Sequence, residues 1–516
     1  MSKSFITNIA GTWNKNDLAK VGNAKSVNMF CESTNPSQDY ISIIQRSIPG
    51  LSLYKAIEGT PRGTYTVSRG YNEQPVIYTV FDTSLYCIIE DEVYKIGELA
   101  QSSNICHFCE TGGYGSAHPH LIIVDGVNVY AVNTGLDVGN QNLDFRTIQL
   151  PYRVESDTQY ISPTHCAYLY GYLVVNDSGT DAFYKSYQYP FETLTEAGEI
   201  DYDLFETKKY SGKSIPTYSE WQPDKTLALC SNGSRLYTFG DRSYQVFTFN
   251  DNVNNPFVSP DTAAKLIGIK AVNSLAQLGE YTLWLGSADL GNNGVYLNTG
   301  SVDSNRVSTP EIEREISTFK YIKDAIAQIW QENQHLFYSI TFPSEERTFV
   351  YDLKENAWHE RCSLNNKNEK IAWRYNFATL SPEGDLLYSC KDALVKVDNT
   401  KWTEHDNTPI LRSRTGGVIY SNYNNFFIDS ITIEMNNGQM KNILGSDAYI
   451  NMRYTADGSD WSDIETVNIG TTGSYDYDCT FYSFGMAKCF SIELSTTDDF
   501  PFALYGLKLE SSECKF

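Results

Sequence analysis

The chain has 516 residues, 40 Lys and Arg against 63 Asp and Glu, and so a formal net charge of −23; 20% of its residues are charged and 14% aromatic. A single core stops growing near about 250–300 residues, so more than one compact unit is expected. The aromatic content (37 Tyr, 25 Phe, 8 Trp) argues against disorder and for half-buried strands, and the acidic balance argues against affinity for nucleic acid or an anionic membrane.

From the amino terminus, Met1-Ser2-Lys3-Ser4-Phe5-Ile6-Thr7 lacks the apolar stretch of a secretory signal. No apolar run reaches roughly 18 residues, so no transmembrane helix is expected. The eleven cysteines are odd in number and scattered, which reads as reduced thiols in a protein made in a reducing cytoplasm. Residues 1–48 precede the first blade and are expected to form an extended segment packed against it.

Short apolar runs broken by Gly, Asn, Asp and Pro then recur: PVIYTV and SLYCII, LIIVDGVNVYAV with a turn at Asp125-Gly126, YLYGYLVVN, RLYTFGDRSYQVFT, YTLWLGSADLGNNGVYL, HLFYSITFPSEERTFVYDL and DLLYSCKDALVKV. Ile77, Ile122, Leu173, Leu236, Leu283, Phe337 and Leu387 mark spacings of 45, 51, 63, 47, 54 and 50 residues. A hairpin-bearing unit repeated every roughly 40–50 residues is the signature of a β-propeller. The expected fold is all-β: a propeller of six or seven blades over residues 49–405, with a large meandering sandwich as the alternative architecture. One helix is expected, Lys320 to Gln331, with Ser308-Thr309-Pro310-Glu311 as a helix start. After Asn399 the texture changes to alternating strands such as IDSITIEM and AYINMRY, so residues 406–516 read as a separate β-sandwich-like domain.

Motifs for chemistry are scarce. There is no Walker loop, dinucleotide fingerprint, HExxH or GxSxG. Gly112-Gly113-Tyr114-Gly115 lacks the Lys and following helix of a phosphate cradle and reads as a turn. Cys106 and Cys109 with His118 and His120 offer two thiolates and two imidazoles to zinc, but without zinc-finger spacing. Acid pairs such as Glu345-Glu346 and Asp498-Asp499 read as solvated turns. Thr455-Ala456-Asp457-Gly458-Ser459-Asp460-Trp461 is similar to the Asp-box turn of sialidase propellers, one residue shorter, and is evidence for a turn. In Trp358-His359-Glu360-Arg361, strand alternation puts His359 and Arg361 on one face and Trp358 and Glu360 on the other, which reads as a packed strand end.

Taken in order, several segments resemble the packaged-DNA stabilisation, or tail hub (nozzle), proteins of short-tailed phages. They are Val27-Asn28-Met29-Phe30 with Pro49-Gly50-Leu51, Pro163-Thr164-His165, Phe239-Gly240-Asp241-Arg242-Ser243, Trp284-Leu285-Gly286, Val307-Ser308-Thr309 and Phe337-Tyr338-Ser339-Ile340-Thr341-Phe342-Pro343. The longest runs from Arg347 through Tyr351-Asp352 into Trp358-His359-Glu360-Arg361. The departures are the shortened Asp-Gly turn, Gln245 where an acid is usual, and Asn/Asp-rich insertions between blades.

The resemblance implies a β-propeller virion protein of the tail, assembled as a ring of six copies below the portal and its adaptor ring. Such a ring would extend the DNA channel, help retain packaged DNA, hold a plug or needle and dock tail fibres or spikes, with no catalytic residue, cofactor, metal or membrane anchor. A strongly acidic ring would let DNA pass without binding it. The rival function is a propeller that binds or cleaves host glycans. Phe426, Phe427, Tyr475, Tyr477, Phe481, Tyr482, Phe484, Phe500 and Phe502 crowd the last domain, and aromatic-rich patches suit a ring interface. Residues 406–516 are therefore expected to be the assembly platform, with these rings on its surface; the alternative is that they fill the core of the sandwich.

Overall fold

The computed structural model describes residues 3–7, 9–15, 23–33, 43–70, 73–100, 103–112, 119–135, 145–153, 158–192, 200, 202–207, 212–213, 216–260, 262–288, 291–416, 418–420, 424–436, 448–470, 473 and 477–513. The chain is an all-β propeller carrying a second pair of sheets. Seven blades follow one another, six as small separate sheets and the sixth as one end of a larger sheet, each with its innermost strand first: Pro61–Val67, His107–Glu110, Cys166–Leu169, Ala228–Asn232, the pair Ile267–Ile269 and Ala276–Leu278, Ile326–Glu332 and Asn376–Leu380. Blade 7 takes its outermost strand from the start of the propeller, where Gly50–Ala56 pairs antiparallel with Ala393–Asp398. The innermost strand of blade 7 lies against that of blade 1, so the circle closes without a free first or last blade.

The apolar runs follow from this arrangement, because each blade is buried on both faces. In His120–Val124, Leu121 and Ile123 pack towards blade 1, while Ile122 and Val124 pack towards blade 3. Leu387 and Leu394 of blade 7 meet blade 1, and their neighbours Tyr388 and Val395 meet blade 6. Seven such clusters fill the seven seams between blades. Tight hairpins carry left-handed residues in their turns, as at Glu90-Asp91 (φ 49° and 70°) and Asn333-Gln334 (φ 50° and 66°).

The helix lies elsewhere than expected. It spans Pro310–Ser317, with the Thr309 hydroxyl accepting from Ile312 N, Pro310 in the first turn and Ile312 and Ile316 buried. The start signal was therefore real, but Lys320 to Gln331 contributes Ile326–Glu332, the innermost strand of blade 6. Ala325, Ala327 and Ile329 alternate towards blade 5, and the Asn333-Gln334 turn pairs Glu332 with His335.

The strands after residue 406 form two sheets packed face to face over one apolar core. Phe426–Met435 lies between Cys479–Ala487 and Ala503–Glu513 in the first; Cys489–Thr496 lies between Arg412–Thr415 and Tyr449–Thr455 in the second. The described amino-terminal residues are woven into these sheets, and Trp13 and Phe30 pack in the blade 5/6 and 6/7 seams, away from the first blade expected. Lys3–Thr7 pairs with Ala503–Glu513, and Met29–Ser33 with Ile43–Ser47, which in turn pairs with Ala503–Glu513. Ser26–Val27 lies between Arg412–Thr415 and the outer strand of blade 6, Ala357–Leu364, joining propeller and sandwich in one continuous sheet.

Candidate functional site

The polar cluster of the sequence sits in this joint. All eight residues of Ala357–Leu364 are buried although the strand is outermost in blade 6. The amino-terminal segment satisfies its free edge: Trp358 N donates to Thr12 Oγ1 (2.9 Å), Trp13 N to the Trp358 carbonyl (2.7 Å) and Asn28 N to the Glu360 carbonyl (2.7 Å). Asn28 is left-handed (φ 52°); its Oδ1 accepts from Cys362 N (3.0 Å), and its Nδ2 donates to the carbonyls of Cys362 (2.9 Å) and Leu411 (2.8 Å).

Trp358 packs between blades 5 and 6 and donates from Nε1 to the Val307 carbonyl (3.0 Å). Glu360, on the same face, is clamped by Arg347 (2.9 and 3.2 Å), which also reaches Glu315 (2.7 Å), and Glu315 in turn pairs with Lys15 (2.7 Å). On the other face, the Arg361 guanidinium lies over Trp330 (4.9 Å), Phe337 (5.3 Å) and Trp373 (4.8 Å) and pairs with Glu332 at 3.4 Å. Glu332 also accepts from Trp330 Nε1 (3.0 Å) and Tyr388 OH (3.3 Å).

His359 is buried beside Arg361, with Nε2 3.5 Å from Arg361 Nε; burial, then the Arg361 and His335 charges, hold its pKa well below the usual 6.5, so the ring is neutral at pH 7. His335 Nδ1 meets Asp352 Oδ2 at 2.6 Å. Phe342 is buried edge-on against Phe319, Pro343 opens a 3-10 turn, and Tyr351 OH donates to Asn356 Oδ1 (2.6 Å). His359 and Glu360 project to opposite faces and converge on no cleft, so what this arrangement does is hold blade 6, the amino-terminal segment and the sandwich together.

The cysteine and histidine residues do not converge as the zinc reading requires. Cys106 faces blade 1, where burial pushes its thiol up to about 12, and Cys109 faces blade 3. His120 stacks on Phe191 (4.6 Å), while Gly113, Tyr114, Gly115 and His118 lie outside the described residues. Among the described residues no three His, Cys, Asp or Glu side chains are placed to hold a metal ion, and no cysteine is in a disulfide. Strand alternation instead puts His107 against His165 of blade 3, ring centroids 3.7 Å apart. Burial lowers the His107 pKa to about 4 and that of His165 well below 6.5. That pairing spans 58 residues of sequence, so no local spacing announces it.

The expected aromatic surface is corrected in large part. Phe426, Phe481, Phe484 and Phe500 are 2–5% exposed and, with Phe502, belong to the sandwich core, because they sit at inward positions of their strands or on the loop leading into the last strand. Phe427 and Tyr477 are exposed, and Tyr475 lies outside the described residues. Tyr482 is 65% exposed, and so is Met486 (53%), a position the aromatic count passed over; Met486 lies directly across from Phe427 in the ladder. A bulge between Ile428 and Ser430 shifts the alternation. The Asp457 turn is present: its Oδ1 accepts from Ser459 N (2.8 Å) and Asp460 N (3.2 Å), and the Arg453 guanidinium covers Trp461.

Among solved structures, the chain is similar to the Pan2 WD40 domain of Neurospora crassa (10% identity, TM-score 0.36, 71% of this chain and 98% of that one). It is also similar to BBS1N in complex with ARL6DN (10%, 0.40, 68% and 97%) and to a putative 6-phosphogluconolactonase of Bacteroides fragilis (12%, 0.36, 69% and 98%). These scores are too low to carry an argument, and the propeller rests on its own seven blades. No curated protein sequence matches the chain. The family model described as bacteriophage P22 Gp10, beta-propeller, matches residues 202–378, from the end of blade 3 through the buried joint of blade 6 to the first strand of blade 7. Over residues 202–378 the chain is thus similar to the phage stabilisation family of β-propellers, and the match supports a place in that family.

Proposed function

We propose that the protein is a non-enzymatic structural component of the phage tail: a ring-forming hub or nozzle below the portal and adaptor that extends the DNA channel and helps retain the packaged genome. The observation that carries this reading is the family match over the blades that contain the joint. The net charge of −23 supports a wall that DNA slides past, since a basic ring would gain affinity through counterion release. The woven joint suits a part under mechanical load, because separating propeller from sandwich means breaking a continuous sheet. Ring closure is assigned to residues 406–516, where Phe427, Tyr482 and Met486 lie outward at the described edge of the first sheet. Docking of fibres, spikes and the plug belongs to the same proposal. Negative-stain electron microscopy of the purified full chain and of virion tails tests it: rings with a central pore are expected. Particles that stay monomeric and are absent from virions, with turnover on oligosaccharides, would establish the glycan-active alternative.

A further inference from the structure

Blades 2 and 3 are separate sheets, so the seam between their innermost strands, His107–Glu110 and Cys166–Leu169, is held by side-chain packing. Two free cysteines meet across it. Strand alternation turns Cys109 of blade 2 and Cys166 of blade 3 into the same apolar cluster, and the Cys166 S–H donates to Cys109 Sγ. The His107 and His165 rings, 3.7 Å apart between centroids, hold the two strands side by side at this level. Both cysteines line the cavity of about 540 Å³ that the innermost strands surround at the propeller axis. Cys109 is half-buried there, whereas Cys166 is 8% exposed.

Burial, then the hydrogen bond with Cys109, holds the Cys166 thiol well above its ordinary value, so it keeps its proton in the reduced protein. The thiolate is the form that attacks an oxidant, and Cys109 is the less buried of the two sulfurs. Cys106, three positions earlier, faces blade 1 and lies in a different seam.

We propose that Cys109 and Cys166 form a latent cross-link, which hydrogen peroxide closes into a disulfide across the seam. The Cys109 thiolate attacks one peroxide oxygen: an S–O bond forms, the O–O bond breaks, and the departing hydroxide takes up the Cys109 proton as water. Cys166 then attacks the sulfur of the resulting sulfenic acid. The S–S bond forms, the S–O bond breaks, and hydroxide leaves with the Cys166 proton as a second water. Two thiols and one peroxide give one disulfide and two waters, each sulfur losing one electron and the peroxide gaining two. The bridge joins positions 57 apart and ties two blades that share no sheet hydrogen bond. In a reducing cytoplasm the pair stays open; in an oxidising medium the bridge persists.

The test treats the full chain with hydrogen peroxide at pH 8, titrates thiols in urea and maps peptides without reductant. The eleven thiols should fall by two, the Cys109 and Cys166 peptides should be joined, and dithiothreitol should restore all eleven. Cys109→Ser and Cys166→Ser should each abolish the joined peptide, while Cys106→Ser should leave it in place. Oxidised wild type should melt at a higher temperature than the reduced protein, and Cys166→Ser should melt alike with and without peroxide. The proposal is overturned if all eleven thiols survive peroxide, if Cys109 passes to its sulfinic acid unbridged, or if the bridge joins another pair. An unchanged melting temperature in bridged protein would equally overturn its part in holding the seam.

Discussion

Arg361 and Glu332 form an ion pair at 3.4 Å inside an aromatic box, both almost fully buried and 29 residues apart in sequence. Glu332 is also held by Trp330 and Tyr388, so the charge cluster ties three strands across two blades. Removing the cation alone leaves a buried carboxylate without its counter-charge. Arg361→Met should therefore cost about 3 kcal/mol or more of unfolding free energy. Adding Glu332→Leu should recover part of that loss in urea denaturation; an additive double variant would show that the two charges do not interact.

Asn28 serves both strands of the joint. Asn28→Ala removes the hydrogen bonds to Cys362 and Leu411 and places a residue with a poorer left-handed preference at φ 52°. A loss of about 1–3 kcal/mol is expected, together with faster proteolysis of the amino-terminal segment. Asn28→Gly restores the backbone without the bonds and should fall between Ala and wild type.

His107, His165 and His359 all have pKa values lowered by burial in the folded state. Below the unfolded value of 6.5 the unfolded chain binds protons that the folded chain refuses, so stability falls as pH drops through 6.5 towards about 4, where His107 itself titrates. Each such ring adds a slope of up to about 1.4 kcal/mol per pH unit across that window. Urea midpoints at pH 7.5, 6 and 5 should fall steeply, and less so for His165→Gln. A flat profile would mean that these rings are solvated in solution.

Binding to duplex DNA should be weaker than the ~10⁻⁴–10⁻⁶ M of non-specific binders at about 0.15 M salt. Fluorescence anisotropy measures it directly, and sub-micromolar binding would reveal a basic patch hidden in the totals.

Phe427, Tyr482 and Met486 are exposed on adjacent strands, so replacing all three with Ser should change stability by no more than about 0.5 kcal/mol per substitution. Ring formation by mass photometry should be abolished. Rings of normal size from this variant would move the assembly surface to the propeller flanks.

The recurrent apolar hairpins, the change of texture after Asn399 and the Thr309-Pro310 helix start were legible from sequence because each depends on residues close in the chain. Alternation in Trp358-His359-Glu360-Arg361 correctly separated its two faces. Tertiary structure decided what local pattern leaves open. Ile326–Glu332 became a strand because blade 6 supplied His335–Phe342 beside it, overriding a helical reading. Phe426, Phe481 and Phe484 went inward because each takes its direction from strand register and from a bulge in the first sheet, and Phe500 because its loop folds over the core, none of which composition encodes. The blade count and the weaving of residues 3–33 into the last sheets depend on contacts between residues some 300 or more positions apart. Composition and periodicity determine that strands form and bury both faces, while the closure of the ring determines which strands meet.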